Sequence, residues 1–443
     1  MLPAAHESQH IEWKESWRDE YLKWLCGFAN AQGGTLTIGK NDQGYVVGIT
    51  NSQKLLEEIP NKVRDLLGIL VDVHSRNEGE LTYLEIVVEA YPYPISYKGQ
   101  YHYRSGSTKQ ELKGAALDRF LLRKQGKHWD GVPVPGVTAT DLSAAAFTLF
   151  RKRAARSGRV EGDALQESEA ALLENLHLVE GTYLKRAALL LFHPTPEKFV
   201  TGAYLKIGRF ATDEELRYQD EVHGPVLEQI EKGLDLLLTK YLTADIHYEG
   251  AGRAETLPFP REAIREALLN AVAHKDYSSG SPVQISVYDD RLLFWNDGHL
   301  PDTWTVANLT HKHPSIPFNP DVANTLFRAG YIEAWGRGTI KMIVECQRQG
   351  IPAPHYAFGA GGCTIEFFRY TEASLQQRGL REDLRRIVLV VQKSGEVTNS
   401  AVQQLLGVSK STATRYLNEL DRLNYLQRSG ITGVGTGYVL KGS

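Results

Sequence analysis

Glu266, Asn270 and His274 recur every four residues within PREAIREALLNAVAHKDY, a spacing that lines them along one helix face, one turn apart. Pro260 and Arg261 open that helix; Ile264, Leu268 and Val272, with Leu269 beside them, form its buried stripe. With a carboxylate one turn before an amide, the acid can orient a water while the amide holds Mg2+. Magnesium keeps its waters and takes few protein oxygens, so one Asn plus nucleotide phosphates suffices. After the strand VQISVYDDRLLFWN and the turn Asn296-Asp297-Gly298, the segment AWGRGT puts Gly336 and Gly338 just before another helix. Backbone N–H groups there suit phosphates. No G-x-x-x-x-G-K-[ST] occurs, which excludes a P-loop.

A second constellation opens the chain. In HESQHIEWKES, an extended backbone points Glu12 and Lys14 the same way while Trp13 faces inward. Glu7 lies upstream, and Asp42 follows the strand TLTIGK at the start of the turn NDQG. Three carboxylates and a lysine are a set for a divalent metal, Mg2+ or Mn2+, that activates water against a phosphodiester. Solvated on a surface, the same acids do no chemistry. Arg104, Ser107 and Lys109 in HYRSGSTKQEL suit phosphate contacts.

The third set lies near the end. From Arg381 onward nine Lys/Arg stand against five Asp/Glu, a local basic excess on a chain of net charge −3. LRRIVLVVQKSG reads as a helix ending at Gly395, TNSAVQQLLG as one capped by Thr398 and stopped by Gly407, and SKSTATRYLNELDRLNYL as one capped by Ser409. Leu417, Leu420 and Leu423 should pack that last helix inward, leaving Lys410, Ser411, Thr412, Thr414 and Arg415 for groove edges and phosphates of duplex DNA. ITGVGTGYVLK reads as a hairpin wing with glycines at its tip.

The elements that must position these groups divide the 443 residues into about three domains. Residues 1–125 alternate helix and strand: Asp19–Asn30 is an amphipathic helix with Leu22, Leu25 and Phe28 on one face, GGTLTIG a buried strand, GYVVGI its hairpin partner, and LTYLEIVVEA another strand. GKHWDGVPVPGV reads as a linker within a helical segment spanning 126–180, patterned on Leu142, Ala146 and Leu149. Strand-like runs at 187–192 and 202–209 and a helix from about Val222 to Leu242 open a region, 181–370, that holds the Glu266 helix. Thr371–Asp383 is a charged connector to a last domain, 381–443. Cys26, Cys346 and Cys363 are too scattered for a disulfide framework or a zinc site. No apolar run spans a bilayer, and Glu7, Glu12 and Glu15 stand where a secretion signal would be basic and then apolar; no membrane partner and a cytoplasmic location are expected.

Three family resemblances sharpen these expectations. ES-x(3)-E-W-K followed by GFANAQGGTLTIGKNDQG is similar to the Schlafen-type AlbA-like domain, whose nuclease members carry acids matching Glu7, Glu12 and Asp42 and a lysine matching Lys14; many other members bind DNA. The central order resembles the GHKL (Bergerat-fold) ATPases, the superfamily of gyrase, Hsp90, histidine kinase and MutL ATP domains. That resemblance makes Glu266 the ATPase base and Asn270 the magnesium ligand, sets Asn296 and Gly298 on the adenine, and matches Gly336 and Gly338 to a later glycine motif. Asn296 stands where the superfamily has Asp, and an amide accepts without charge assistance. The lid HKHPSIPFNP is not glycine-rich, so ATP binding is expected ahead of efficient hydrolysis. VSKSTATRYLNELDRLNYL resembles bacterial winged-helix regulators.

The expected architecture is an α+β multidomain chain: a Schlafen AlbA-like α/β domain, a GHKL-like α/β sandwich and a winged helix-turn-helix. The order is similar to a broad group of bacterial transcriptional regulators. The implied function is an ATP-binding, DNA-binding regulator, a homodimer on paired half-sites, with Mg2+ at the nucleotide. The alternatives are a Mg2+- or Mn2+-dependent Schlafen-like nuclease on RNA or DNA, active in defence, and a scaffold using neither site.

Overall fold

The computed structural model describes residues 6–249, 252–301, 304–333, 335–359, 361–429 and 437–441, in two compact units, Met1–His128 and Trp129–Ser443. In the first, β1 (Ile11–Lys14) runs parallel to β2 (Gly34–Ile38), with Glu12 opposite Leu36. A parallel pair needs a crossover, and α1 (Leu22–Asn30) supplies it after a 3-10 turn at Asp19–Tyr21. Helix α2 (Ser52–Leu67) leads to β3 (Asp72–Glu78) and β4 (Leu81–Val88), completing the order β1-β2-β4-β3. Leu22, Leu25 and Phe28 are buried as their spacing predicts, against Leu36, Ile38, Leu84 and Ile86. The segment GYVVGI does not pair with β2. Its Tyr45 and Val47 are exposed, one isolated bridge joins Val46 to Lys40, and β2 takes β4 as its antiparallel partner. A hairpin of β5 (His102–Ser105) and β6 (Thr108–Glu111) packs on α1, and α3 (Gly114–Lys124) follows.

The second unit is built around a six-stranded mixed sheet. Helix α4 (Ala144–Ser157) and the short α5 (Arg186–Phe192) precede β7 (Leu205–Phe210), β8 (Leu216–Val222) and α6 (Val226–Leu236). Then come α7 (Arg261–Ala273), β9 (Val283–Val287), β10 (Arg291–Asn296), α8 (Pro320–Arg328), α9 (Gly338–Arg348), β11 (His355–Gly359) and β12 (Gly362–Phe368). The sheet order is β8-β7-β9-β10-β12-β11, with β7 and β9 parallel and the other pairs antiparallel. Residues 187–192 are helix rather than strand: all six are buried, and an all-round apolar run carries no period to tell the two apart. The helix expected from Val222 begins only at Val226, because Leu216–Val222 pairs with β7, and it ends in a π-turn at Leu237–Tyr241.

The Gly/Pro-rich segment expected to link domains is built into this unit from Trp129 onward. Trp129 stacks on Tyr277, Arg186 lies over its ring, and Pro133–Val134 pairs with Tyr183–Lys185. The charged connector likewise holds a helix, Glu372–Gln377, with Leu375 buried.

The C-terminal residues have their own core, which includes Leu384, Val388, Val402, Leu417 and Leu420. Helices α10 (Glu382–Ser394), α11 (Asn399–Leu406) and α12 (Lys410–Arg422) pack against a small sheet of β13 (Val397–Thr398), β14 (Leu426–Ser429) and β15 (Gly437–Leu440), ordered β13-β15-β14. Leu423, expected inside, is exposed. The glycine tip expected for the wing, 430–436, lies outside the described residues, but its flanking strands pair as a hairpin. Among the described residues, no helix is long and apolar enough to cross a membrane.

Candidate functional site

Helix α7 positions the central polar face. Ala263, Ile264, Ala267, Leu268, Leu269, Ala271 and Val272 are all buried, so Glu266, Asn270 and His274 mark its less enclosed stripe. The first two meet the start of α9. A Cβ on Gly338 would stand 2.2 Å from Glu266 Oε1 and 3.3 Å from Asn270 Nδ2; only glycine lets that backbone close onto both side chains. Burial raises the Glu266 pKa, against the pull of Lys341 and Arg265. Asn270 Nδ2 is buried without a hydrogen-bond partner. Half a turn of the amide would aim its oxygen at the same spot.

Gly336 adopts a left-handed φ of +61°, and a Cβ there would lie 2.1 Å from the His313 carbonyl oxygen. The glycine turn is thereby pinned to the lid segment. His313 Nε2 shares a 3.2 Å hydrogen bond with Thr339 Oγ1, and its ring meets Trp304 edge-on at 4.8 Å. Beside them is a hollow of about 350 Å³ lined by Trp304, Asn308, His311, Lys312 and His313 among others. The hollow and the glycine turn share His313, whereas the space directly before Glu266 and Asn270 is taken by Gly338.

Asn296 closes β10 and is buried, its Nδ2 donating to the Asp297 carbonyl at 3.4 Å. A Cβ on Gly298 would approach both Asn296 Nδ2 and the His274 carbonyl to 2.8 Å, so this glycine joins the strand end to the end of α7. Burial, helped by His313, pushes the His274 imidazole down to about 4, leaving it neutral at pH 7.

Polar groups that sequence reasoning missed brace this corner. Lys275 is wholly buried, lies 4.4 Å over the Tyr277 ring and donates to the Asp276 carbonyl; burial lowers it to about 8 while Asp276 and Asp297 oppose the shift. Asn319 Nδ2 donates to the carbonyls of Ala273 and Lys275 at 3.0 and 2.7 Å, tying off the end of α7. One oxygen of buried Asp130 accepts from the Asp321 and Val322 amides at the start of α8. Asp130 sits in HWDGVP, whose composition pointed to a loop, so no local signal marked it.

At the N-terminus the structure gathers Glu7, Glu12 and Lys14, and Asp42 is exposed in its turn. Glu12 is buried and fully engaged: Oε1 accepts from Lys14 Nζ at 2.5 Å and Oε2 from Arg104 Nη1 at 2.6 Å. Glu7 Oε1 accepts from the Trp13 amide and lies 3.6 Å from Lys14 Nζ. Among the described residues, no group of three His, Cys, Asp or Glu is placed to hold a metal ion. Arg104, read as a phosphate contact, has no exposed surface; it also donates to the carbonyls of Ser8 and Ile11 and lies over Phe28. Its guanidinium stands where the acid set was expected to hold a cation. Ser107 is exposed and Lys109 half-buried.

On α12, Ser409 Oγ caps the helix by accepting from the Thr412 amide, and the first turn contains no acid. Lys410, Ser411, Thr414 and Arg415 are exposed, and Thr412 is half-buried. Asn399 of α11 donates to Thr414 Oγ1 at 2.9 Å, joining the two helices on that surface.

Comparison with known proteins follows the same three-part order. Residues 7–113 match the model "Schlafen, AlbA_2", 280–367 the model "Putative ATP-dependent DNA helicase recG C-terminal", of the HATPase type, and 389–430 the model "IclR helix-turn-helix domain". The central match takes in Asn296, Gly298, Gly336 and Gly338 and begins after the helix of Glu266 and Asn270. No curated protein matches the chain. A solved structure, the DIP2311 protein from Corynebacterium diphtheriae, is 17% identical over 98% of this chain and 92% of its own, with a TM-score of 0.46. The chain is a multidomain protein in which a Schlafen AlbA_2 domain, an ATPase-like domain and a helix-turn-helix domain follow one another.

Proposed function

We propose that the chain is a nucleotide-responsive transcriptional regulator that binds duplex DNA through α12 as a dimer on paired half-sites. The observation that carries this reading is the exposed start of α12, acid-free in its first turn, where Lys410 and Arg415 flank Ser411 and Thr414. Those groups hydrogen-bond base edges and neutralise phosphates, and a helix of this kind enters the major groove by its N-terminal end.

The central site fits Mg-ATP in its chemistry. Asn270 Nδ2, without a partner, and the Gly338 backbone, where no side chain fits, form a polar corner that Thr339 and His313 connect to the Lys312-lined hollow. Asn270 would hold the magnesium, the N–H groups opening α9 and Lys312 the phosphates, and buried Glu266 would orient a water. Bound nucleotide would supply the negative charge that these donors lack. Seating it requires the Gly336–Gly338 turn to lift from Glu266, and this movement is the proposed signal. A ligand shifts such an equilibrium only by favouring the open form.

The test is a salt-titrated duplex-binding assay on the full chain with and without Mg-ATP, beside calorimetry of Mg-ATP itself. Lys410→Ala or Arg415→Ala should weaken DNA binding and lower the salt slope by about one for each phosphate left without its cation. Asn270→Ala should abolish Mg-ATP binding and the ATP effect on DNA while leaving ATP-free DNA binding intact. Unchanged DNA affinity in both α12 variants would refute the duplex reading.

A further inference from the structure

The two ends of α9 touch different sites. At its start Gly338 closes on Glu266 and Asn270, and Lys341 pairs with Glu262 of α7 at 2.9 Å. Met342 and Cys346 are fully buried and hold the middle of the helix in the central core. The helix then ends in a Schellman motif: the Gly350 amide donates to the Gln347 carbonyl and the Ile351 amide to the Cys346 carbonyl, both at 3.0 Å. Gly350 takes a left-handed φ of +72°, and a Cβ there would stand 2.6 Å from the carbonyl oxygen of Gln392 on α10. Backbone meets backbone at this point, so neither side can yield by turning a side chain.

Gln392 is gripped from a second direction. Its side chain accepts from the Tyr370 amide at 2.7 Å and donates to the Tyr370 carbonyl at 3.0 Å. Tyr370 belongs to the winged-helix core, its ring 5.5 Å from that of Tyr425. The far end of α10 is tied to α12: Asp383 accepts from the Tyr416 hydroxyl at 3.1 Å, and Arg381, just before α10, pairs with Glu419 at 2.5 Å. Between these ends Arg386 donates to the Leu405 carbonyl of α11 at 3.1 Å. Helix α10 thus carries α11 and α12 with it, and its Gln392 end rests on α9.

The 11 residues of α9 span about 16 Å, and backbone hydrogen bonds stiffen that length. A displacement at one end therefore appears at the other. We propose that α9 is the lever by which the nucleotide corner acts on the winged helix. Lifting the Gly336–Gly338 turn tips α9 about Met342 and Cys346, presses Gly350 against Gln392, and shifts α10 together with α12. The lever rests on the nucleotide reading above for its trigger; the contact at Gly350 does not depend on it.

The test measures the affinity of the full chain for a labelled mixed-sequence duplex by fluorescence anisotropy, with and without Mg-ATP. Mg-ATP should change it by about fivefold or more, and the duplex should change Mg-ATP affinity in calorimetry by the same factor. Gln392→Ala should bring that factor close to one while leaving each ligand's own affinity intact. Gly350→Ala, which wedges the contact, should shrink the factor too. Gly379 has a φ of +75° with nothing within 4 Å, so Gly379→Ala carries the backbone cost alone and should keep the parent's factor. A second arm needs neither ligand. Gly338→Val forces the turn away from Glu266 and Asn270, and should alter hydrogen exchange across α10 in the parent but not in Gln392→Ala. The lever is overturned if both ligands bind without affecting each other, if Gly350→Ala and Gln392→Ala keep the parent's factor, or if Gly338→Val leaves α10 exchange unchanged. Absence of Mg-ATP binding would instead refute the nucleotide reading, and absence of duplex binding the α12 reading; in either case α10 exchange in Gly338→Val still decides the lever.

Discussion

Asp130 has no exposed surface; one of its oxygens caps α8 and the other has no partner. Burial pushes its carboxyl up to about 7, against the two amide hydrogen bonds that favour the charged form. Below its ordinary value of 3.8 both folded and unfolded chains hold the proton. Between there and about 7 the unfolded chain releases it while the fold retains it, so this group's contribution to stability falls as pH rises through that window and is flat above it. Asp130→Asn keeps an acceptor for the α8 amides and cannot ionise. The difference in urea midpoint between variant and parent should therefore move in the variant's favour from about pH 4 to about pH 7. A pH-independent difference would mean that Asp130 is charged throughout. Glu266 shifts in the same direction for the same reason.

At the scale of elements, the glycine turn at the start of α9 joins the segment of His313 to the polar corner of Glu266 and Asn270. Gly336→Ala imposes a left-handed φ on alanine and drives a Cβ into the His313 carbonyl, a backbone atom that cannot swing aside. Gly280 has a similar φ of +75° with nothing within 4 Å, so Gly280→Ala isolates the backbone cost. The Gly336 variant should lose about 1–3 kcal/mol more than the Gly280 variant in denaturant unfolding, the usual range for overpacking. Equal losses would show that the turn is not clamped to the lid. Elements were legible wherever period and caps agreed: Thr398 and Ser409 cap α11 and α12 as expected, and Gly407 ends α11 in the left-handed conformation. The stretch 187–192 was not, because six consecutive buried apolar residues look alike as helix and as strand.

Across the whole molecule, three hydrophobic cores match the three modules, while the winged helix and the central sheet share one compact unit. Gln392 of α10 exchanges hydrogen bonds with the Tyr370 backbone just beyond β12, an attachment across 22 residues that composition could not show. The sequence by itself determined the order of the modules, the polar face of α7, the two glycines at the start of α9 and the cationic start of α12. Each of these is set by neighbours within a turn or two, through helix period, capping and glycine's freedom at positive φ. Only the tertiary structure decided that Arg104 is a buried partner of Glu12, that Asp42 forms no metal-holding group with Glu7 and Glu12, and that Gly338 closes on Glu266 and Asn270. Arg104 and Glu12 are 92 positions apart. Which distant charges meet, and whether water is left between them, depends on how the elements pack, and no local pattern along the chain records it.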